Sequence, residues 1–298
     1  MTLNIGGQDV TIAAKAVTLQ KARTEAAATL TAELWTAAGD AWFLKTALAV
    51  GDGVVFAGAG GTALFRGAVH QLERTPHSVL VTAYDRGVYL TRNELYGAFY
   101  GTGEAIVRQV AARLGIAVGA VDAQSRVQAI TARSGDSAFA ILRRAAGEDR
   151  QIRMDGEALT VTRGSGEAAT LGAERFLSVE SACGIGEMVN RCVVLKAGGA
   201  PLATAENAGD LAAYGQFQSV VTLNGALTQA AQQAQSALRG RTMTAQAVVL
   251  GDGALRCGGR VRVERPEWGL SGLYTLTAVA HRWQAGQYTT ALTMEGTL

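Results

Sequence analysis

Chemistry needs particular residues at particular spacings, and this 298-residue chain offers few such stretches. The first is Val54-Val55-Phe56 running into Gly58-Ala59-Gly60-Gly61-Thr62-Ala63, a short apolar run followed by G-x-G-x-x-A. Glycines of that kind cradle a pyrophosphate when a helix starts at them, because its first N–H groups and its dipole then face the phosphates. Here they lead into ALFRGAVHQLE, which reads as a strand, with Gly67 interrupting any helix and no parallel βαβ unit around it. A loop joining two strands is expected, and no cofactor. The second stretch, SGDSAF at 134–139, contains the Gly-Asp-Ser of serine hydrolases. A hydrolase would need a histidine base within reach, and His70, His77 and His281 all fall in predicted β hairpins. Helix capping by Ser134 or Asp136, with Ser137 in the first turn, is the expected role instead.

Nothing else assembles a reactive constellation. The histidines show no H-x-H or H-x-x-x-H spacing, and the acidic residues are scattered. Cys183, Cys192 and Cys257 are odd in number and contain no C-x-x-C pair, so neither a disulfide framework nor a zinc site is indicated. ACGIGEM at 182–188 reads as a turn. Trp35, Trp42, Trp268 and Trp283 are dispersed, which favours core or interface packing over a ligand platform. The expectation is a chain with no catalytic, cofactor-binding or metal-ligating residue.

Composition narrows the partners. With 48% hydrophobic and 17% charged residues the sequence is that of a globular protein, and 37 glycines against 3 prolines favour tight turns over rigid linkers. The balance of 27 basic and 25 acidic residues leaves +2 with no basic cluster, which argues against tracking a phosphate backbone or binding a nucleic-acid sequence. Leu211–Leu238 carries no charge, but Gln216, Gln218, Asn224 and four further glutamines would each need a partner in lipid, so stable membrane insertion is not expected. The N-terminal MTLNIGGQDVTI lacks the basic and apolar regions of a secretory signal. Three free thiols fit synthesis in a reducing cytoplasm.

The elements follow from periodicity. Leu30-Ala32-Leu34 alternates with Thr29, Thr31 and Glu33, a half-buried strand, although the alanines at 26–28 would also suit a helix. Val54–Phe56, Leu64-Phe65, Val69–Leu72 and Val79–Tyr84 follow at short intervals, with Thr75–Ser78 as a turn. Strands so spaced read as an antiparallel barrel or sandwich. After Asp85 the character changes. Thr102 is a candidate N-cap for a helix with Ile106, Val107, Val110 and Leu114 on one face, stopped by Gly115. A second helix is expected from Ser137 to Ala146 with Phe139, Leu142 and Ala146 inward, then a hairpin over QIRMDGEALTVTR with an Asp155-Gly156 turn. Strands resume at Cys192–Leu195 and Val220–Leu223, with short helices at Gly209–Tyr214 and Ala226–Leu238 and an alternating region from Met243 to the end. The domains expected are a first β-barrel over 1–95, a small α+β insertion over 96–175, and a second β-barrel over 176–298 with an inserted helix at about 226–238.

The two ends resemble each other. GDGVVFAG, GAVHQLE and SVLVTAY at one end match GGRVRVER, LTAVAHRWQ and YTTALTM at the other, which sets His70 beside His281 and suggests two copies of one β unit.

The succession of segments resembles the baseplate hub family of phage tails, of the late-control protein D type, including the hubs of tail-like bacteriocins and defective prophages. FRGAVHQLERTPHSVLVTAYDRGVYLTRN, GTGEAIVRQVAARLGI and SGDSAFAILRRAAGE carry the resemblance. MVNRCVVL, AENAGDLAAYGQFQSVVTL and GLSGLYTLTAVAHRWQAGQYTTALTM continue it to the C-terminus. The resemblance implies a mainly β fold, with two tail-tube-like antiparallel β-barrels separated by a small α+β domain. It also implies a homotrimer whose pseudo-sixfold ring joins the sixfold tail tube to a threefold central spike, meeting the tape-measure protein and other baseplate proteins in the baseplate of a virion or contractile injection system. Two other readings stay open: a tail-tip enzyme, such as a cell-wall hydrolase that would fail on Ser137→Ala, and a monomeric carbohydrate-binding β module.

Overall fold

Alternation of apolar and small polar residues builds the N-terminal region. In the computed structural model, which describes residues 1–36, 48–58, 61–147, 150–163, 169–223 and 226–297, it forms seven strands. They are β1 (Thr2–Ile5), β2 (Gln8–Asp9), β3 (Ala14–Ala22), β4 (Thr29–Trp35), β5 (Gly53–Ala57), β6 (Ala63–Arg74) and β7 (Ser78–Tyr84). Val17 and Leu19, Leu30, Ala32 and Leu34, and Val79, Val81 and Ala83 enter one core with Phe56 and Phe65. Because side chains alternate, Thr18, Thr31 and Thr82 fall on the other face. The strand order is β3-β4-β7-β6-β5-β1-β2. No helix forms at 26–28; Ala26 is buried and belongs to the core of the next region.

That region is α1 (Val88–Arg92), β8 (Ala98–Gly101), α2 (Gly103–Arg113), β9 (Ala117–Val121), β10 (Gln128–Thr131), α3 (Ala138–Ala146), β11 (Gln151–Asp155) and β12 (Ala158–Thr162). Ile106, Val107 and Val110 of α2 and Ile141 and Leu142 of α3 pack on Ile152, Leu159 and Val161. Thr102 caps α2 as expected, accepting a hydrogen bond from the Ala105 N–H at 3.2 Å. The cap of α3 is Ser137 itself, not Ser134 or Asp136: its hydroxyl accepts from the Ala140 N–H at 3.2 Å. Asp136 instead turns back to accept from the Arg133 N–H and to pair with Arg144.

The rest comprises β13 (Ala169–Leu171), β14 (Phe176–Gly184), β15 (Arg191–Leu195), β16 (Pro201–Glu206), α4 (Ala208–Tyr214), β17 (Gln218–Thr222), α5 (Ala230–Ser236), β18 (Thr242–Leu250), β19 (Arg260–Arg265), β20 (Leu270–Gln284) and β21 (Gln287–Thr297). A second curled sheet runs β14-β18-β21-β20, with β19 beside β20 and β13 beside β19. Three expectations change here. Residues 169–171, read with the α+β insertion, pair with β19 of the second sheet. Cys192–Leu195 and Val220–Leu223 do not continue that sheet, because β15, β16 and β17 form a separate three-stranded sheet. The excursion between β14 and β18 is therefore a small layer with its own core, Cys192 and Val194 against Ala230 and Ala234 of α5, and not a lone helix.

The two curled sheets share one hydrogen-bonding plan. The orders β3-β4-β7-β6-β5 and β14-β18-β21-β20-β19 are the same path. A 3-10 turn precedes each first strand, at Thr11–Ala13 and at Ala173–Arg175. A bulge then follows at Lys15 against β4 and at Leu177 against β18. A second bulge falls at His70 against β7 and at Thr277 against β21. Gly51 donates to the Val69 carbonyl at 2.8 Å, and Gly258 donates to that of Leu276 at 2.7 Å. Both glycines have left-handed backbone, φ +99° and +85°, which other residues adopt at a cost. These markers superpose Val69 on Leu276, so His70 matches Thr277 and His281 matches Arg74. The histidines do not occupy one place: short-motif similarity misaligned them by four positions, and only the bulges carry the register.

Candidate functional site

The stretches that suggested chemistry do not converge. The glycine-rich run lies between β5 and β6, closed by Gly58 N–H donating to the Thr62 carbonyl at 3.0 Å. Its Ala59 and Gly60, like Trp42, lie outside the described residues. Ser137 is committed to its cap. His70 is exposed and packs edge-on against Tyr84, and His77 sits in the exposed turn before β7. Among the described residues, no group of three or more His, Cys, Asp or Glu is placed to hold a metal. Trp35 is more than half exposed under Lys15, Trp268 stacks edge-on with Phe176, and Trp283 packs against the first core.

The structure instead gathers polar groups where the two sheets and the α+β region meet. A cavity of about 150 Å³ lies there, lined among others by Lys21, Asp85, Met154, Cys257 and His281. Burial pushes the Lys21 ammonium below the ordinary lysine range and the Asp85 carboxyl above the usual carboxylate range, and each opposes the other's shift by its charge. Lys21 donates to the Glu25 and Ala26 carbonyls, and Asp85 accepts from the Gly87 N–H at 2.8 Å. Burial raises the Cys257 thiol to about 11, and its Sγ faces the Thr277 carbonyl at 3.3 Å. Burial lowers His281 to about 4, beside the Tyr288 hydroxyl at 3.0 Å and the Thr290 hydroxyl at 3.3 Å. The thiol is held protonated and the imidazole is engaged with two hydroxyls. Sequence reading missed Lys21 and Asp85 as members of it. The signal was present: Val17, Leu19, Lys21 and Val81, Ala83, Asp85 put a charge at the inward end of each alternation.

The more extensive feature is a seam. β3 of the first sheet and β20 of the second pair antiparallel over seven residues, from Ala22↔Ala278 to Ala16↔Gln284, so the sheets are one continuous surface. That surface curls: a groove of about 360 Å³ takes residues from β14, β18, β21, β20 and β3 together, including Ser178, Gln246, Thr293, Ala280 and Gln20. Its lining is mostly neutral, with Lys21, Glu25 and Glu180 the charged members. The ends stay open. Among the described residues the backbone of β14 pairs only with β18, its Ser181 hydroxyl donating to the Trp268 carbonyl at 2.6 Å, and beyond Val69 β6 pairs only with β7. Ser181–Gly184 and Gln71, Glu73 and Arg74 are exposed along those edges.

This mainly β fold, with its curled antiparallel sheet, is similar to that of phage tail proteins. The 43 kDa tail protein of prophage MuSo2 from Shewanella oneidensis superposes with a TM-score of 0.71 at 16% identity, over 98% of this chain and 96% of that one. A tail protein from Neisseria meningitidis MC58 gives 0.72 at 12% identity, over 99% and 95%. An Escherichia coli component of the type VI secretion system, described as structurally similar to the T4 bacteriophage tail proteins gp27 and gp5, gives 0.62 at 11% identity, over 99% and 76%. At these identities the likeness is one of fold. The chain belongs to the YQBQ-like family, whose model matches residues 17–295. No curated protein sequence matches it. No helix among the described residues is long and apolar enough to cross a membrane.

Proposed function

We propose that this chain is a structural hub at the distal end of a phage tail or tail-like injection particle. Three copies form a ring of six similar sheet units, presenting near-sixfold symmetry to the tail tube and true threefold symmetry to the central spike. The ring closes around the end of the tape-measure protein and contacts further baseplate proteins. Its work is interface burial and backbone pairing, and no bond is made or broken.

The observation that carries this reading is the duplication with its head-to-tail seam. Two units related by one register plan are joined through unlike edges, β3 to β20, and a heterologous contact of that kind generates rings when repeated. The concave, mostly neutral face suits a lumen, and the structural neighbours in Shewanella and Neisseria are tail proteins. Light scattering behind a sizing column tests it, on the chain alone and mixed with the tube and spike proteins of its own particle. A threefold mass in either condition is expected. A monomer in every condition, with no comigration, overturns the reading.

A further inference from the structure

The duplication makes the open edges predictable. The bulge at Lys15 and that at Leu177 superpose Leu19 on Ser181, Gln20 on Ala182, Lys21 on Cys183 and Ala22 on Gly184. The bulges at His70 and Thr277 superpose Gln71 on Ala278, Leu72 on Val279, Glu73 on Ala280 and Arg74 on His281. Within the chain the seam pairs Ala22↔Ala278, Lys21↔Val279, Gln20↔Ala280 and Leu19↔His281. Exchanging each partner for its counterpart converts this seam into a contact between β14 and the end of β6. One chain cannot supply both sides, because six strands separate β14 from β6 in the order β14-β18-β21-β20-β3-β4-β7-β6-β5-β1-β2, and β5 covers only the first half of β6.

We infer that β14 of one copy adds antiparallel to the C-terminal end of β6 in a second copy, in the register Gly184↔Gln71, Cys183↔Leu72, Ala182↔Glu73 and Ser181↔Arg74. This rests on the ring reading above and gives it a strand-level contact. The edge itself argues for an occupant. β14 is nine residues long, FLSVESACG, and past its bulge at Leu177 and the charge of Glu180 the run Ser181–Gly184 carries neither proline nor a charge to blunt it. Its outer backbone groups are a template for another strand, and a second copy of this chain offers the one matched to it by internal symmetry. The side chains are compatible: Cys183 is exposed in the single chain, and the half-buried Leu72 would sit against it as Val279 sits against Lys21. The ladder is shorter than the internal seam because β6 ends at Arg74, where β20 continues to Gln284.

The register supplies its own cross-link. Residues directly opposite on antiparallel strands have Cα atoms about 4.5–5.5 Å apart, within the range a disulfide spans. The variant Leu72→Cys therefore faces native Cys183 of the next copy. Mild oxidation should move most of the protein to covalent dimer and trimer on a non-reducing gel, reversed by dithiothreitol. Wild type and Leu72→Cys combined with Cys183→Ser should stay single. Glu73→Cys, whose side chain leaves the opposite face, should not link. If Leu72→Cys disturbs folding by circular dichroism, Arg74→Cys with Ser181→Cys in a Cys183→Ser background reads the same register. Light scattering on the unoxidised samples separates the two claims. A threefold mass with no in-register link, or with Glu73→Cys linking as fast, overturns this pairing and leaves the hub reading standing. A monomer that never links overturns both.

Discussion

The two curled sheets follow one backbone plan and fill it differently. The first is sealed by aliphatic residues and phenylalanine, Leu30, Leu34, Val54, Phe56 and Phe65. The second uses Met243, Met294, Cys257 and Tyr274 at its centre. Where the first exposes Arg74, the second buries His281. Between its first and second strands the first sheet has a short turn, and the second admits the whole β15–β17 layer. Bulges and left-handed glycines are kept while side chains drift. Register is all-or-none, because a one-residue slip exchanges the two faces of a strand, whereas a core tolerates substitution if its volume is conserved.

The sharpest way to break the comparison is to open equivalent cavities. Leu292 and its counterpart Val81 are both essentially inaccessible. Leu292→Ala should cost about 2–5 kcal/mol, and Val81→Ala less because it deletes less. Urea unfolding followed by circular dichroism checks this. Because the seam joins the sheets, one transition should shift in both variants, and a transition lost from only one half would show that the units unfold separately.

His281 gives the next effect, because its counterpart in the first sheet, Arg74, is an exposed arginine. Its folded pKa, near 4, lies below the ordinary value of 6.5 because burial disfavours the cation. The unfolded chain therefore binds more protons between these values, so the contribution is complete above about pH 6.5 and is lost as pH falls toward 4. It is of the order of 3 kcal/mol at most. The urea midpoint should fall across that window, and the fall should flatten in His281→Gln; an unchanged slope would sink the assignment.

The matched glycines come third. Gly51→Ala and Gly258→Ala each place a side chain in left-handed backbone, at roughly 1–2 kcal/mol. Gly51 faces open space, but a Cβ at Gly258 would meet the Gln151 side chain, so Gly258→Ala should lower the thermal midpoint more. Adding Gln151→Ala should bring the two together. Smallest are the caps of the intervening region: Ser137→Ala and Thr102→Ala should each lose about 1 kcal/mol. If Ser137→Ala abolished a turnover while leaving the melting curve unchanged, the non-catalytic reading would fail.

Much of this was legible in the residues. Alternation announced Leu30-Ala32-Leu34 and Val79-Val81-Ala83, and 3.6-residue periodicity with Thr102 announced α2, because these signals are local and repeat every turn or every second residue. The glycine run at 58–63 was legible as a loop for the same reason: no helix pattern follows it. The partners of strands were not. Cys192–Leu195 has an ordinary strand pattern, and nothing in that pattern says whether it joins β18 or leaves for a separate sheet with β17. The offset of His70 from His281 was hidden likewise, since a bulge is one extra residue that has no composition of its own.

The sequence by itself therefore determined most element types and the duplicated order of the strands. Tertiary structure alone decided that β3 meets β20, that β14 and the end of β6 are left open among the described residues, and that Lys21, Asp85, Cys257 and His281 share one cavity. The physical reason is range. Burial patterns are written residue by residue along the chain, but hydrogen bonds between strands distant in sequence depend on which edges the finished sheets leave unpaired.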